Sequence, residues 1–255
     1  GGTGYIGSAL ISSLKEYNCT VHLSKGDVSK KETWSNIITD KIDIIFHLAA
    51  VEVGHEVAER DLNVNSVAVL HMLQTCVEKK YNPKIIFSSS TNLFGLKTIT
   101  LRLPNVYGPV LNIKSLDRKT SGTLISRVIK YGLEHKKLKL FGNKDCLRDY
   151  IFIDDIVNAF IKAGLALDKF YDGRFFVIGS NKFVTISDMW NIMAKNIEAT
   201  ISVDSSYELN PIEMRSYVGN YSQFNKITGW QPETNIQDGI MAAVKNIKEH
   251  VYETK

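Results

Sequence analysis

Cysteine is scarce in this sequence. Cys19, Cys76 and Cys146 are the only three in 255 residues, an odd set without metal-ligand spacing. That excludes a disulfide framework and a zinc ribbon, and it fits a reducing compartment with buried or free thiols. No apolar run is long enough to span a membrane and nothing resembles a signal peptide, so the chain reads as cytoplasmic. A long basic run is also missing. The formal charge of +4 is spread along the chain, which gives no indication of nucleic acid but would suit a phosphate-bearing substrate. Internal repeats and low-complexity segments are absent.

What remains is an ordinary globular composition, 44% apolar and 23% charged, long enough for one large domain or two closely packed ones. Gly1-Gly2-Thr3-Gly4-Tyr5-Ile6-Gly7 opens directly into an amphipathic run from Ser8 to Tyr17. Glycines at this spacing let the backbone turn tightly and approach a pyrophosphate, which then rests on the amides of a helix N-terminus. Lys41 to Ala50 is a continuous apolar run that ends in small residues, as expected of a parallel strand buried on both faces. A second such run, Lys84 to Phe87, ends in Ser88-Ser89-Ser90; a third, Thr98 to Leu103, ends in Pro104-Asn105-Val106-Tyr107-Gly108-Pro109. With the helical segment Leu62 to Lys80 between the first two, the pattern predicts an α/β protein with a Rossmann-like doubly wound parallel sheet. Ligands of such a sheet lie at the carboxyl ends of its strands.

Two places break the pattern. Parallel neighbours need a crossover of a dozen or more residues, yet only Thr91 to Lys97 separate Ser90 from the third run. Either those strands are not both in the parallel sheet, or residues are missing near Gly95. Likewise Cys19 to Leu23 runs straight into Ser24 to Val28, where two separate strands are expected.

These pieces, in this order, resemble the extended short-chain dehydrogenase/reductase family, in its NAD-dependent nucleotide-sugar epimerase, dehydratase and reductase branch. The matching segments are Gly1 to Gly7, Gly26-Asp27-Val28, His47 to Ala50, Asn63-Val64, Phe87 to Ser90 and Leu101 to Pro109. Phe141-Gly142, Leu147-Arg148-Asp149-Tyr150, Asp154-Asp155 and Gly229-Trp230-Gln231-Pro232 complete the likeness. The resemblance implies that Gly1, Gly4 and Gly7, with Tyr5 and Ile6 between them, cradle the pyrophosphate of NAD, with NADP not excluded. Asp27 and Val28 would border the adenine. Leu48, Ala49 and Ala50 would line the path to the nicotinamide ribose, with Asn63, Ser88 and Ser89 nearby. Leu103 and Asn105 would lie beside the nicotinamide and the substrate phosphates, and Ser90 matches the catalytic Ser/Thr. Arg148 and Arg215 match the arginines that grip the substrate diphosphate. The family's usual tyrosine, with a lysine four residues later, has no counterpart in the sequence. That pair supplies a phenolate base, so the chain as written should bind better than it catalyses.

The second half reads as a smaller α/β substrate-binding region. Thr120 to His135 has helical periodicity, Arg174 to Ile178 a strand, and Thr185-Ile186-Ser187-Asp188 a helix start. Asp154 or Asp155 would cap a helix from Ile156 to Leu167; a metal is the less simple reading of that pair. Residues 1–110, rejoined by 151–180, would form the cofactor domain, and 111–150 with 181–255 the substrate region. His47 reads as a core residue rather than a base. Thr91 and Asn92 stand where the family's 4,6-dehydratases carry an acid pair, which disfavours dehydration. The expected activity is therefore epimerisation or ketone reduction of a nucleotide-diphosphate sugar, for polysaccharide biosynthesis and in a homodimer. The alternative is a catalytically degenerate protein that binds NAD(P) and a sugar nucleotide.

Overall fold

The computed structural model describes residues 1–51, 59, 62–88, 98–111, 116, 124–141, 143–170, 174–204 and 216–253. They fall into two compact units. The first comprises Gly1–Arg102, Val157–Phe176 and Lys226–Trp230; the second comprises Leu103–Ile156, Val177–Asn225 and Gln231–Lys255.

In the first unit, α1 (Tyr5–Glu16) and α2 (Lys31–Ile37) precede β1 (Ile44–His47). A π-turn, Asn63–Val67, leads into α3 (Ala68–Glu78), then β2 (Lys84–Phe87) and β3 (Thr98–Arg102). These strands and β8 (Arg174–Val177) form a sheet in the order β1-β2-β3-β8. Strand β1 pairs with β2 in parallel, Ile45 opposite Ile85, and β2 with β3, Ile86 opposite Ile99.

Both faces of this sheet are covered, and the period of two in the strands decides by what. Ile45, Ile85 and Phe87 face a core made by Trp34 and Ile38 with Val69, Met72, Leu73 and Cys76 of α3. Those four positions recur at the spacing of one helical face, which is why the segment is helical and lies flat on the sheet. On the opposite face, Gly164 brings its helix, α5 (Ile153–Leu165), close to Ile44, Phe46 and Ile86. A Cβ at Gly164 would find those side chains at 3.5–3.6 Å. The Phe46 and Phe160 rings meet edge to face there.

The doubly wound parallel sheet is thus as expected, while two details of the sequence reading change. Strands β2 and β3 are both in the parallel sheet, although only residues 88–97 connect them. Residues 19–25 form no strand at all. Isolated from a partner ladder, their backbone groups gain nothing from extension.

In the second unit, β4 (Asn105–Tyr107) pairs in parallel with β7 (Tyr150–Phe152), and β5 (Lys137–Phe141) with β10 (Thr200–Asp204). Strands β6 (Leu147–Arg148) and β9 (Val184–Thr185) run antiparallel. Three amphipathic helices, α4 (Leu124–His135), α6 (Ile186–Ile197) and α7 (Ile236–Glu253), pack on one another. Ile129 and Leu133, Met193 and Ile197, and Val244 and Ile247 are their buried apolar positions. Thr185 caps α6 by accepting from the Asp188 amide at 2.9 Å, as its Thr-x-x-Asp pattern predicts.

The Asp154-Asp155 expectation is corrected. Both lie inside the first turn of α5, and the Asp155 carboxylate accepts from the amides of Glu233 and Thr234 at 3.0 and 3.1 Å. It anchors a distant loop rather than its own helix. Cys19, Cys76 and Cys146 form no disulfide with one another, and burial raises the Cys76 thiol to about 11, so it stays protonated. Among the described residues, no helix is long and apolar enough to cross a membrane.

Candidate functional site

The glycine loop sits where a doubly wound sheet places its ligand. Gly1 lies against the backbone of Leu48, just past the carboxyl end of β1; a Cβ there would be 2.1 Å from the Leu48 carbonyl carbon. Gly4 is the N-cap of α1, its amide donating to the Gly1 carbonyl at 3.0 Å. Gly7 lies in the first turn, where a Cβ would be 2.2 Å from the Gly1 oxygen. The loop is therefore folded onto its own helix at a distance only glycine permits. No side chain caps α1, and no acidic residue occupies its first turn. The amides of Tyr5, Ile6 and Gly7 head a helix with its positive dipole end toward an incoming anion. These residues fit a dinucleotide pyrophosphate.

Around this loop the first unit gathers further expected residues. The Asp27 carboxylate accepts from the Ser29 amide and hydroxyl at 2.9 and 2.8 Å, which holds its pKa below the usual carboxylate range. Val28 is fixed through its carbonyl by the Trp34 indole at 2.8 Å. Leu48, Ala49 and Ala50 continue from β1, and Ser88 ends β2 with its amide on the His47 carbonyl at 3.4 Å. Asn63 starts the π-turn, half-buried. His47 is buried between the Trp34 and Phe87 rings. Burial lowers its pKa to about 4. It is a neutral core residue at physiological pH.

Sequence reasoning overlooked Asn65. Its side chain both accepts from the Val51 amide and donates to the Val51 carbonyl, each at 2.9 Å, and so pins the stretch that carries Leu48 to Ala50. Its only signal was an asparagine inside a helical run, where such a side chain tends to serve backbone elsewhere.

In the second unit, Asn105 donates from its backbone and its side-chain amide to the Asp149 carbonyl, at 3.2 and 3.1 Å. The β4–β7 register, with Asn105 opposite Tyr150, thereby sets Asn105 against Asp149. Leu103 lies in the link that leads into β4. Arg148 is half-buried, and its guanidinium donates to the Leu147 carbonyl at 3.0 Å. The Leu147 amide donates to the Ser216 hydroxyl, and the Tyr217 amide to the Leu147 carbonyl. The chain immediately after Arg215 is thus fastened next to Arg148. Ser89, Ser90 and Arg215 themselves lie outside the described residues.

Asp149, also missed, holds this region together. It is fully buried, and its carboxylate accepts from the Gly219 amide at 2.7 Å and the Ser180 amide at 3.0 Å. Burial raises its pKa despite those bonds. Gly179 and Gly219 cross so closely that a Cβ on Gly179 would be 2.1 Å from the Gly219 oxygen.

A parallel sheet with helices on both faces, and a glycine loop opening a helix at its carboxyl edge, defines a dinucleotide-binding α/β protein. The family model described as NAD dependent epimerase/dehydratase family matches residues 1–99 and 91–179. The chain belongs to that family. The two matched stretches meet at residues 91–99, where the sequence is too short for a crossover.

A UDP-glucose 4-epimerase of Mycolicibacterium smegmatis is 25% identical over 158 residues, 60% of this chain and 46% of that protein; the matched span is about half of that relative. A CDP-abequose synthase of Salmonella typhimurium is 22% identical over 304 residues, covering 97% of this chain and 96% of that one. Since this chain has 255 residues, at least 49 of those 304 positions (304 less 255) have no counterpart in it. Among solved structures, a UDP-glucose 4-epimerase with UDP-glucose from Thermotoga maritima superposes with a TM-score of 0.80 at 20% identity, covering 98% of each chain.

Proposed function

We propose that this protein is an NAD(P)-dependent epimerase or ketoreductase of a nucleotide-diphosphate sugar. The observation that carries the reading is the glycine loop, packed against Leu48 and folded on Gly7 so tightly that it presents the first amides of α1 at the sheet's carboxyl edge. Those amides hold the cofactor diphosphate, with Asp27 and Val28 toward the adenine and Leu48 to Ala50 toward the nicotinamide. The nicotinamide, when bound, supplies hydride exchange at the sugar ring. Asn105, Arg148 and Arg215 bind the substrate diphosphate, the arginines by bidentate hydrogen bonds. Ser90 hydrogen-bonds the reacting hydroxyl. Relatives named for UDP-glucose and CDP-sugar chemistry support the substrate class.

One observation favours a second reading. No tyrosine in the sequence is followed four residues later by lysine, so the usual proton acceptor is not supplied. A protein that binds NAD(P) and sugar nucleotide without turnover accounts for that. Calorimetric titration with NAD, NADPH, UDP-glucose and CDP-glucose, followed by product analysis and absorbance at 340 nm, separates the two. Binding of both ligands with conversion supports the enzyme; binding of both without conversion supports the binder. Failure to bind any dinucleotide refutes both.

A further inference from the structure

The turn that carries Asp27 and Val28 is held from behind, one carbonyl at a time. The Asp27 carbonyl accepts from the Thr33 hydroxyl at 2.7 Å, and the Val28 carbonyl from the Trp34 indole at 2.8 Å. The Ser29 carbonyl makes the third bond, at 2.9 Å, with Nδ1 of His71. A carbonyl can only accept, so His71 carries a proton on Nδ1 and donates it. Thr33 and Trp34 belong to α2, the next element in the chain. His71 reaches in from α3, 42 residues along the sequence from Ser29.

With its carbonyls drawn inward and Val28 resting on the core, the turn presents the exposed Asp27 side chain outward. The two bonds from Ser29 to that carboxylate both fall on Oδ1, which leaves Oδ2 outside the pair. Helix α2 is itself strapped to α3. Lys31 pairs with Glu78 at 2.5 Å, and the Lys79 ammonium donates to the carbonyls of Ser35 and Ile38 at 2.5 and 2.8 Å. Of these polar links from α3, that of His71 alone lands on the turn.

Packing does not ask for a histidine there. The core face of α3 is Val69, Met72, Leu73 and Cys76, and His71 is only half-buried beside it. Granted the dinucleotide reading of the glycine loop, we propose that His71 is a positioning residue for the adenine end of the cofactor. It acts through Ser29, fixing before binding the turn whose Asp27 and Val28 meet the base. An ordered turn has no freedom left to lose when the base arrives. Without the donor, that order must be supplied at binding. One net hydrogen bond corresponds to an affinity loss of about 3- to 10-fold.

Two substitutions separate positioning from scaffolding. His71→Leu removes the donor. His71→Asn keeps it, because the asparagine amide nitrogen stands as many bonds from the backbone as Nδ1 does. Leucine is the better helix former, while asparagine only matches histidine. A scaffolding role therefore ranks leucine first in urea unfolding and leaves the affinities alike, whereas positioning ranks leucine last in affinity.

In calorimetric titration, NAD and ADP should bind about 3- to 10-fold more weakly to His71→Leu and within about twofold of wild type to His71→Asn. Nicotinamide mononucleotide, which has no adenine, should bind all three proteins alike in an NMR titration. Hydrogen exchange of amides 28–30 in the ligand-free protein should quicken in the leucine variant alone. Equal NAD affinity in His71→Leu and wild type overturns the inference and leaves the dinucleotide reading in place. So does a loss shared by nicotinamide mononucleotide, or one that asparagine fails to restore. Wild-type protein that binds neither NAD nor ADP overturns both.

Discussion

Replacing Gly7 with alanine separates what the glycine loop does from what the helix prefers. Alanine inside a helix is worth about 1 kcal/mol over glycine. At Gly7 the added carbon would stand 2.2 Å from the Gly1 oxygen and 2.7 Å from the Gly2 Cα, where ordinary contact begins at 3.4 Å. The loop must therefore retreat by about 1.2 Å (3.4 less 2.2). Overpacking of that kind costs ~1–3 kcal/mol, so net stability should fall by only ~0–2 kcal/mol. Binding should suffer more, because the shift takes the loop off the axis of α1. A loss of about 100-fold in NAD affinity is expected, ~2.7 kcal/mol. Gly4→Ala is the matched control. Its Cβ would meet the Gly1 oxygen at 3.2 Å, and its extended backbone, φ −77° and ψ 178°, suits alanine, so a change under about fivefold is expected. Calorimetric titration measures the affinities and urea unfolding the stabilities. Wild-type NAD affinity in Gly7→Ala would refute the assignment of the loop.

Arg148→Ala should weaken UDP-sugar binding by about 10- to 100-fold while leaving NAD affinity unchanged, as separate titrations would reveal. Asp149→Asn keeps one acceptor where the carboxylate offers two to the Ser180 and Gly219 amides, and should cost ~1–3 kcal/mol in urea unfolding at neutral pH. Because burial raises the folded pKa of Asp149, its own contribution to stability declines as pH rises above the ordinary carboxylate range; the variant should flatten that part of the stability–pH curve. His47 acts with the opposite slope. Its folded pKa near 4, against 6.5 in the unfolded chain, means the unfolded state binds the extra proton first. Stability is full above about pH 6.5 and should fall by ~3 kcal/mol as pH drops to 4, which unfolding of His47→Asn alongside the parent would isolate.

Much of this was legible in local pattern. The glycine spacing announced a phosphate loop. The apolar runs at 44–47 and 84–87 announced buried parallel strands, and the i, i+3, i+4, i+7 positions of α3 announced the helix that covers them. Periodicity is a property of a short window, and burial on one or both faces writes it directly into residue types. Partnership is different. That β2 and β3 lie side by side despite so short a link, and that 19–25 stays out of the sheet, depends on which edges find a ladder. Asn105 and Asp149 become neighbours only because β4 pairs with β7 across 43 intervening residues (106 to 148). Asp149 gains its role only where Gly179 and Gly219 cross. The sequence by itself determined the elements and the chemistry they carry. Tertiary structure decided which backbone groups meet, because hydrogen bonds between distant segments form where burial leaves no water to compete.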